Sequence, residues 1–460
     1  MNDWTILVYI SADETLANFA VESLKQLKRA AGDGISVAAQ FDTNTGLAVQ
    51  RFVFEGKGEP DSSLEDSSVE SIDSPVDMTD PKTLTGFMDW ASNACEARHY
   101  CLILWGHGFE LLLDKDPGKV SDRAYLTPAN LRKALENTQL LQRPKAQKKK
   151  IDIIGIDACS MCSIEVASEL HGCVDMMIAS QEDVPDGSFP YEHVLQQLKA
   201  QKNRDNVSAL SATIPQLYKV AYQDYLVSPG TGMKEVTLAA LRLKHFGRDS
   251  SVLASVKQLA DTLLAGSRQP AYRKAILDAR ASSRDFASGF FVDLVDFCGR
   301  LVDQGTGNRD LTAACQEVLD AVRSGDSVLA NATGMGAQSR CHGLSIYLPY
   351  LREKEETLLQ ALMANHTDLI GQLPVLVKGS TNILRKTREA MIGQVEEDFS
   401  VLHGFEATNW MTFIRQGWSL ILTAECSAEL DVRYSAQQSA VNLLTLNGGR
   451  GLSIVHRRAG

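Results

Sequence analysis

The residues of this chain best suited to chemistry are His107 and Cys159. Each closes an apolar run: Tyr-Cys-Leu-Ile-Leu-Trp-Gly-His107-Gly and Ile-Asp-Ile-Ile-Gly-Ile-Asp-Ala-Cys159. A thiol attacks as its thiolate, and a neighbouring imidazole can take its proton and later hand one to a leaving group. Gly106 and Gly108 flank the histidine and let the backbone come close to a substrate where a side chain would obstruct. The backbone N–H groups of Gly108 and Cys159 are then natural donors to an oxyanion. Together these groups suit acyl transfer: attack by Cys159, protonation of a leaving amine by His107, then hydrolysis of the thioester. Strand alternation points Asp157 to the same rim as Cys159, where it either caps a following helix or lines a pocket.

Both runs have the length and β-branched content of buried parallel strands, and side chains at the carboxyl ends of neighbouring strands converge on one crevice. Around them strands alternate with helical patterns, which predicts βαβ units and a mainly parallel α/β sheet flanked by helices. Strands are expected near Thr5–Ile10, Ser36–Asp42, Cys101–Trp105, Ile151–Ile156 and Met176–Ser180, with a hairpin around Leu47–Glu55. Helices fit Leu16–Ala31, Pro81–Ala97, Pro128–Asn137 and Ser160–Leu170. The last of these would begin directly after Cys159, and its unpaired N–H groups and dipole would lower the thiol's pKa.

Other stretches read as connections. Gly56–Asp80 is Ser/Asp/Glu-rich and expected as an exposed loop, and Phe109–Thr127 is irregular. The basic cluster Arg143–Lys150 reads as a solvated loop or as a cleavage site. Beyond Gln201 the pattern is helical, with strand-like segments at Glu235–Leu241 and Gly343–Tyr350. From about Thr381 a helix mixes with alternating segments, Trp418–Ala424 and Ala440–Leu446. The expected organisation is a catalytic α/β core over 1–202, a second part of the same domain over 203–380, helical with further strands, and a small α+β or β-rich accessory unit over 381–460.

Composition sets the frame. With 460 residues and 44% hydrophobic content there is material for a substantial core. A net charge of -11 argues against nonspecific nucleic-acid binding, which needs clustered Lys and Arg. The N-terminal apolar run lacks a basic leader and is too short for a secretion signal's core or a membrane span, so a cytoplasmic location away from membranes is expected. Nine scattered cysteines, an odd number, suggest free thiols in a reducing compartment. Cys159-Ser-Met-Cys162 also raises a rival, a dithiol oxidoreductase, because such a C-x-x-C sits at strand-to-helix junctions. Nothing in a dithiol mechanism requires the Gly-His-Gly strand end, however. A third reading is a catalytically silent interaction protein. No second C-x-x-C or paired-His motif completes a zinc site, and no metal is expected.

Trp4-Thr-Ile-Leu-Val-Tyr-Ile-Ser-Ala-Asp13, Asp80-Pro-Lys-Thr-Leu, Leu102-Ile-Leu-Trp-Gly-His-Gly108, Ile156-Asp-Ala-Cys-Ser-Met161, Ala179-Ser-Gln-Glu182 and Gly343-Leu-Ser-Ile-Tyr-Leu-Pro349 occur in this order. In these segments the chain resembles the clostripain family of cysteine peptidases, itself similar to caspases, legumains, gingipains and separase. The resemblance implies a caspase-like fold with His107 and Cys159 as a catalytic dyad and Gly108 in the oxyanion hole. It implies cleavage of protein or peptide substrates after Arg or Lys, with Asp157 as an acid in the P1 pocket. A second pocket acid is expected in the turn Pro185-Asp-Gly-Ser-Phe189, where Asp186 stands about one position away from the family pattern and Asp183 could substitute. It further implies self-cleavage between the dyad strands, at Lys115, Lys119, Arg123 or the Arg143–Lys150 cluster. No cofactor is expected: some relatives need calcium, but Asp61, Glu65, Asp66, Glu70, Asp73 and Asp77 follow no recognisable ligand spacing. The C-terminal unit is a candidate contact for a regulatory partner.

Overall fold

Apolar residues alternate between two faces along the first strand, β1 (Asn2–Ser11): Leu7 and Tyr9 pack into one core cluster, and Ile6, Val8 and Ile10 into another. A strand apolar on both faces needs cover on both. The computed structural model supplies it, and describes residues 1–12, 16–43, 48–56, 64, 68–72, 76–109, 112–114, 125–143, 150–201, 204–223, 236–286, 290–304, 307–324, 326–334, 340–350, 402 and 404–422.

After β1 come α1 (Ala17–Ala30), β2 (Ile35–Asp42), β3 (Val49–Phe54), β4 (Ser68–Ile72), α2 (Pro81–Ala94) and β5 (Ala97–Phe109). The short strands β6 (Leu112–Asp114) and β7 (Tyr125–Leu126) lead to α3 (Pro128–Glu136), α4 (Gln139–Gln142) and β8 (Ile151–Asp157). Then follow α5 (Ile164–Leu170), β9 (Val174–Ala179), α6 (Tyr191–Ala200), α7 (Val207–Tyr222) and β10 (Thr237–Arg242). The rest comprises α8 (Ser251–Gly266), α9 (Pro270–Ser282), β11 (Asp285–Phe286), β12 (Phe291–Asp293), α10 (Leu294–Asp303), α11 (Arg309–Ser324), β13 (Val328–Thr333) and β14 (Ser345–Tyr347).

The main sheet runs β13-β10-β9-β8-β5-β1-β2-β3-β4. Its centre, from β9 to β2, is parallel, and β3, β4, β10 and β13 add antiparallel edges. Leu24, Leu27, Leu198, Ile214 and Tyr218 of α1, α6 and α7 cover one face; Leu84, Phe87, Leu131 and Val166 of α2, α3 and α5 cover the other. The starts of α2 and α3 follow local rules: the Asp80 carboxylate accepts from the Lys82 N–H and the Thr127 hydroxyl from the Asn130 N–H, each with proline next in the chain. A second small sheet, β11-β12-β14, packs beyond α5.

Four expectations are corrected. The loop expected over Gly56–Asp80 contains β4, which pairs with β3. The irregular stretch after His107 contains β6 and β7, β6 folding back onto the end of β5. The helix expected from Ser160 begins at Ile164, because Ser163 caps it by accepting from the Val166 N–H, while Ser160 has φ +57°, outside any right-handed helix. The alternation read in Trp418–Ala424 is helical over its described part, 418–422: Trp410, Phe413, Ile414, Trp418 and Ile421 recur at helical spacing, all buried, with Phe413–Trp418 wound as π-helix. This segment packs on α8 and into the core, and the indoles of Trp410 and Trp418 donate to Tyr347 O (2.6 Å) and Pro349 O (2.8 Å). The Ala440–Leu446 segment, Lys115, Lys119 and Arg123, and the inner part of the Arg143–Lys150 cluster lie outside the described residues.

Candidate active site

β5 and β8 are parallel neighbours in a register that sets Trp105 opposite Asp157. Two residues further along each strand direction stand His107 and Cys159. What lets the two strand ends meet is Gly108. A Cβ there would fall 2.3 Å from Cys159 O and 2.6 Å from Cys159 N, so any side chain would drive the backbones apart. Gly106 is similarly tight, with Ser11 O 2.7 Å from where its Cβ would be. The glycines flanking the histidine are therefore explained by backbone contact, and Gly108 sits directly against the Cys159 peptide.

Cys159 lies in the turn 158–163, ahead of the helix. The expected lowering of its thiol pKa by a helix N-terminus is absent. Burial foremost, then the charges of Asp183 and Asp157, push the thiol up to about 12, opposed by the Val184 N–H, which donates to Sγ at 3.3 Å. Cys159 is partly exposed, with the segment after β9 alongside its sulfur. The other member of the C-x-x-C pair, Cys162, is fully buried and donates to Gly343 O at 3.2 Å. It forms no disulfide and offers no accessible partner for dithiol exchange.

Asp157 is 3% exposed on the face covered by α6 and α7. Its Oδ2 accepts from the Phe189 N–H (3.0 Å) and the Tyr191 hydroxyl; its buried Oδ1 has no hydrogen-bond partner among the described residues. Burial raises its pKa to about 6 against the pull of Tyr191, Phe189 and Ser188. It does not cap a helix. Asp186 is exposed in the turn closed by the Ser188 N–H to Pro185 O bond (2.8 Å), while exposed Asp183 lies near the thiol.

Several residues around Asp157 carry no sequence motif. The Trp105 indole donates to Ser188 Oγ, and Tyr222 donates to Ser188 O at 2.6 Å, fixing Ser188 at φ +64°. Tyr218 packs edge-on against Phe189, and its buried hydroxyl, like Asp157 Oδ1, has no partner among the described residues. The one available signal was the Tyr218/Tyr222 pair at i, i+4 on an otherwise core-facing helix. Among the described residues no His, Cys, Asp or Glu cluster is arranged to hold a metal ion, and no helix is long and apolar enough to cross a membrane.

A helix-covered, mainly parallel sheet that presents a cysteine and a histidine at adjacent strand ends defines the class, a caspase-like cysteine peptidase fold. Solved structures agree on that fold. A secreted C11 cysteine protease from Bacteroides thetaiotaomicron, solved with an irreversible peptide inhibitor, is 18% identical, covers 76% of this chain and 93% of its own, and superposes with a TM-score of 0.53. An inactive zymogen C11 protease from Parabacteroides distasonis is 19% identical, covers 78% and 96%, and has a TM-score of 0.52. The clostripain family model, Peptidase_C11, matches residues 8–415, and the chain belongs to that family of cysteine peptidases. Clostripain of Hathewaya histolytica is 26% identical over 145 residues, a match that spans 30% of this chain and 27% of that protein.

Proposed function

We propose that this chain is a cysteine endopeptidase that cleaves after basic residues, with Cys159 as nucleophile and His107 as general acid and base. The observation that carries the reading is the contact of Gly108 with the Cys159 peptide, which brings imidazole strand, thiol and two backbone N–H groups to one place. In the proposed cycle His107 takes the Sγ proton and the thiolate forms a C–S bond to the scissile carbonyl. The oxyanion draws on the N–H groups of Gly108 and Cys159, and the His107 imidazolium protonates the amine as the C–N bond breaks. Water, deprotonated by His107, then hydrolyses the thioester. The thiol is partly exposed and its pKa is pushed up to about 12, so its reaction depends on His107 taking the proton, and the reading includes activation by self-cleavage between the dyad strands.

Asp157 supports the basic specificity. One of its oxygens already takes two donors, which leaves the other, without a partner among the described residues, as the acceptor for a substrate cation. A guanidinium binds best as a two-pronged fork, an ammonium as a point charge, so the pocket favours Lys over Arg. The test is hydrolysis of matched peptides with Lys, Arg, Asp, Asn or Leu before the scissile bond, by wild type and Cys159→Ala. Turnover of Lys ahead of Arg, lost in the variant, is expected. Turnover only after neutral or acidic residues would remove the Asp157 role, and turnover retained by Cys159→Ala would remove the nucleophile.

A further inference from the structure

Two of the segments noted in the sequence, Ala179–Glu182 and Gly343–Pro349, supply no nucleophile, base or pocket acid. They meet behind the nucleophile's turn. The Cys162 N–H donates to Ser180 O (2.8 Å), the Ser345 N–H donates to Cys162 O (3.0 Å), and the Cys162 thiol donates to Gly343 O. Gln181, 1% exposed, ties the two segments together: its Oε1 accepts from the Gly343 N–H (2.8 Å), and its Nε2 donates to Ser345 Oγ (2.9 Å) and Asp293 Oδ2 (3.1 Å). Asp293, fully buried at the end of β12, also accepts from the Asp296 N–H (2.9 Å), the His342 N–H (2.6 Å) and the His342 ring at Nδ1 (2.9 Å).

A buried carboxylate is costly unless its lone pairs are met, and here three N–H donors and an imidazole meet them. Burial alone would push His342 down. The hydrogen bond and charge of Asp293, with Asp296 behind it, outweigh that burial and the opposing Arg323, and hold the imidazole above its usual range. Arg340, on the same segment as His342, is itself paired with Asp296 (2.9 Å).

The turn that this network grips needs a grip. Ser160 is a non-glycine residue at φ +57° with a buried hydroxyl that has no partner among the described residues, and no helix holds the turn until Ile164. Such conformations persist only where the surroundings over-determine them. We propose that Gln181, Asp293 and His342 are positioning residues of the peptidase site, a buried clamp that fixes the turn 158–163 and with it the placement of Cys159 against His107. This rests on the peptidase reading above. The P1 acid is held by other groups, Phe189 and Tyr191, so the clamp acts on the chemical step and not on recognition of the basic residue.

The test uses the full chain carrying Asp293→Asn, His342→Ala or His342→Asn, with His99→Gln as a control at the far end of β5. It measures kcat and KM on a Lys peptide, iodoacetamide alkylation of Cys159 with Cys159→Ala as blank, and the thermal midpoint. Asp293→Asn and His342→Ala should lower kcat about 10- to 100-fold with KM within about twofold, since small misplacements of reacting groups cost that much. Alkylation at pH 7 should shift by about threefold or more. The bonded ring atom is Nδ1, and an asparagine amide places a donor at that position, so His342→Asn should recover most of kcat. Folded variants with wild-type kcat and alkylation would overturn the clamp, as would a loss of kcat that the His99→Gln control matches at an equal loss of thermal stability. His342 is partly exposed, so its variants should fold even where Asp293→Asn does not. If wild type turns over no peptide, the peptidase reading fails by itself, and unchanged alkylation in the folded variants would separately remove the clamp.

Discussion

The two ends of the same strands are built to opposite specifications. At the amino ends of β1, β5 and β8 the charged groups are paired: Asp3 takes Arg98 (2.6 Å) and Arg204 (2.9 Å), and the two His99 ring nitrogens meet Asp152 (2.8 Å) and Asp205 (3.0 Å). Trp4 stacks on His99 with ring centroids 4.8 Å apart. Around the carboxyl ends of β8 and β9 lie a buried carboxylate oxygen and two buried hydroxyls without partners among the described residues, on Asp157, Ser160 and Tyr218, and two serines at positive φ. Unmet polar groups and strained backbone destabilise a fold, and they concentrate where a substrate can complete them. The amino ends hold the sheet together; the carboxyl ends keep acceptors in reserve.

The sharpest break of this contrast is at the thiol. Cys159→Ala should abolish peptide turnover, a loss of about 10⁴-fold or more by analogy with nucleophile deletions, while the thermal midpoint stays put. Turnover that survives would mean the carboxyl ends are not the working end. Gly108→Ala should cost activity and stability together, about 1–3 kcal/mol of overpacking, because its methyl would overlap the Cys159 backbone.

Asp157→Asn should separate the two properties. Kcat/KM for Lys peptides should fall about 10²-fold or more with loss of the charged acceptor. Stability should move the other way. Folding raises the Asp157 pKa from 3.8 to about 6, so the folded state binds that proton more tightly than the unfolded chain, and stability falls as pH rises through this window. Removing the buried charge should stabilise the protein at pH 7.5 by up to about 3 kcal/mol, and by little at pH 4, which denaturation at both values would measure. The same titration predicts weaker binding of a lysine-terminated peptide ligand, about tenfold per unit below about pH 6. A flat affinity across that range would take Asp157 out of the pocket.

The asymmetry also governs what could be read from sequence. β1, β5 and β8 were legible because apolar runs of that length have few alternatives, and α2 and α3 because Asp80-Pro81 and Thr127-Pro128 are local start signals. His107 and Cys159 stood out because they end those runs. Around Asp157, legibility stopped. Phe189, Tyr191 and Tyr218 come to it from the loop before α6, from the start of α6 and from α7, a grouping set by tertiary packing with no periodicity of its own. Ser160 misled for a related reason: a Ser directly after a strand resembles a helix start, whereas here its N–H donates to Glu182 O (3.1 Å) with the residue in the left-handed region. The Gln181–Asp293–His342 network joins residues far apart in sequence and left no local trace.

The smallest effect belongs to the amino ends, and there the comparison can be inverted. Asp152 accepts from the His99 ring and from the Tyr100 N–H (2.8 Å), both partly buried, so Asp152→Ala strands two donors at the root of the catalytic strands. Loss of such bonds costs about 1–3 kcal/mol, which a shifted denaturation midpoint would record. The carboxyl ends lie at the other end of β5 and β8, across packed core, and have their own anchors in Gly108, Phe189, Tyr191 and Gln181. Kcat and KM of the folded variant should therefore stay within about twofold of wild type, the additivity expected of distant sites. A large change in kcat would show that strain is transmitted along the strands and that the two ends are one mechanical unit.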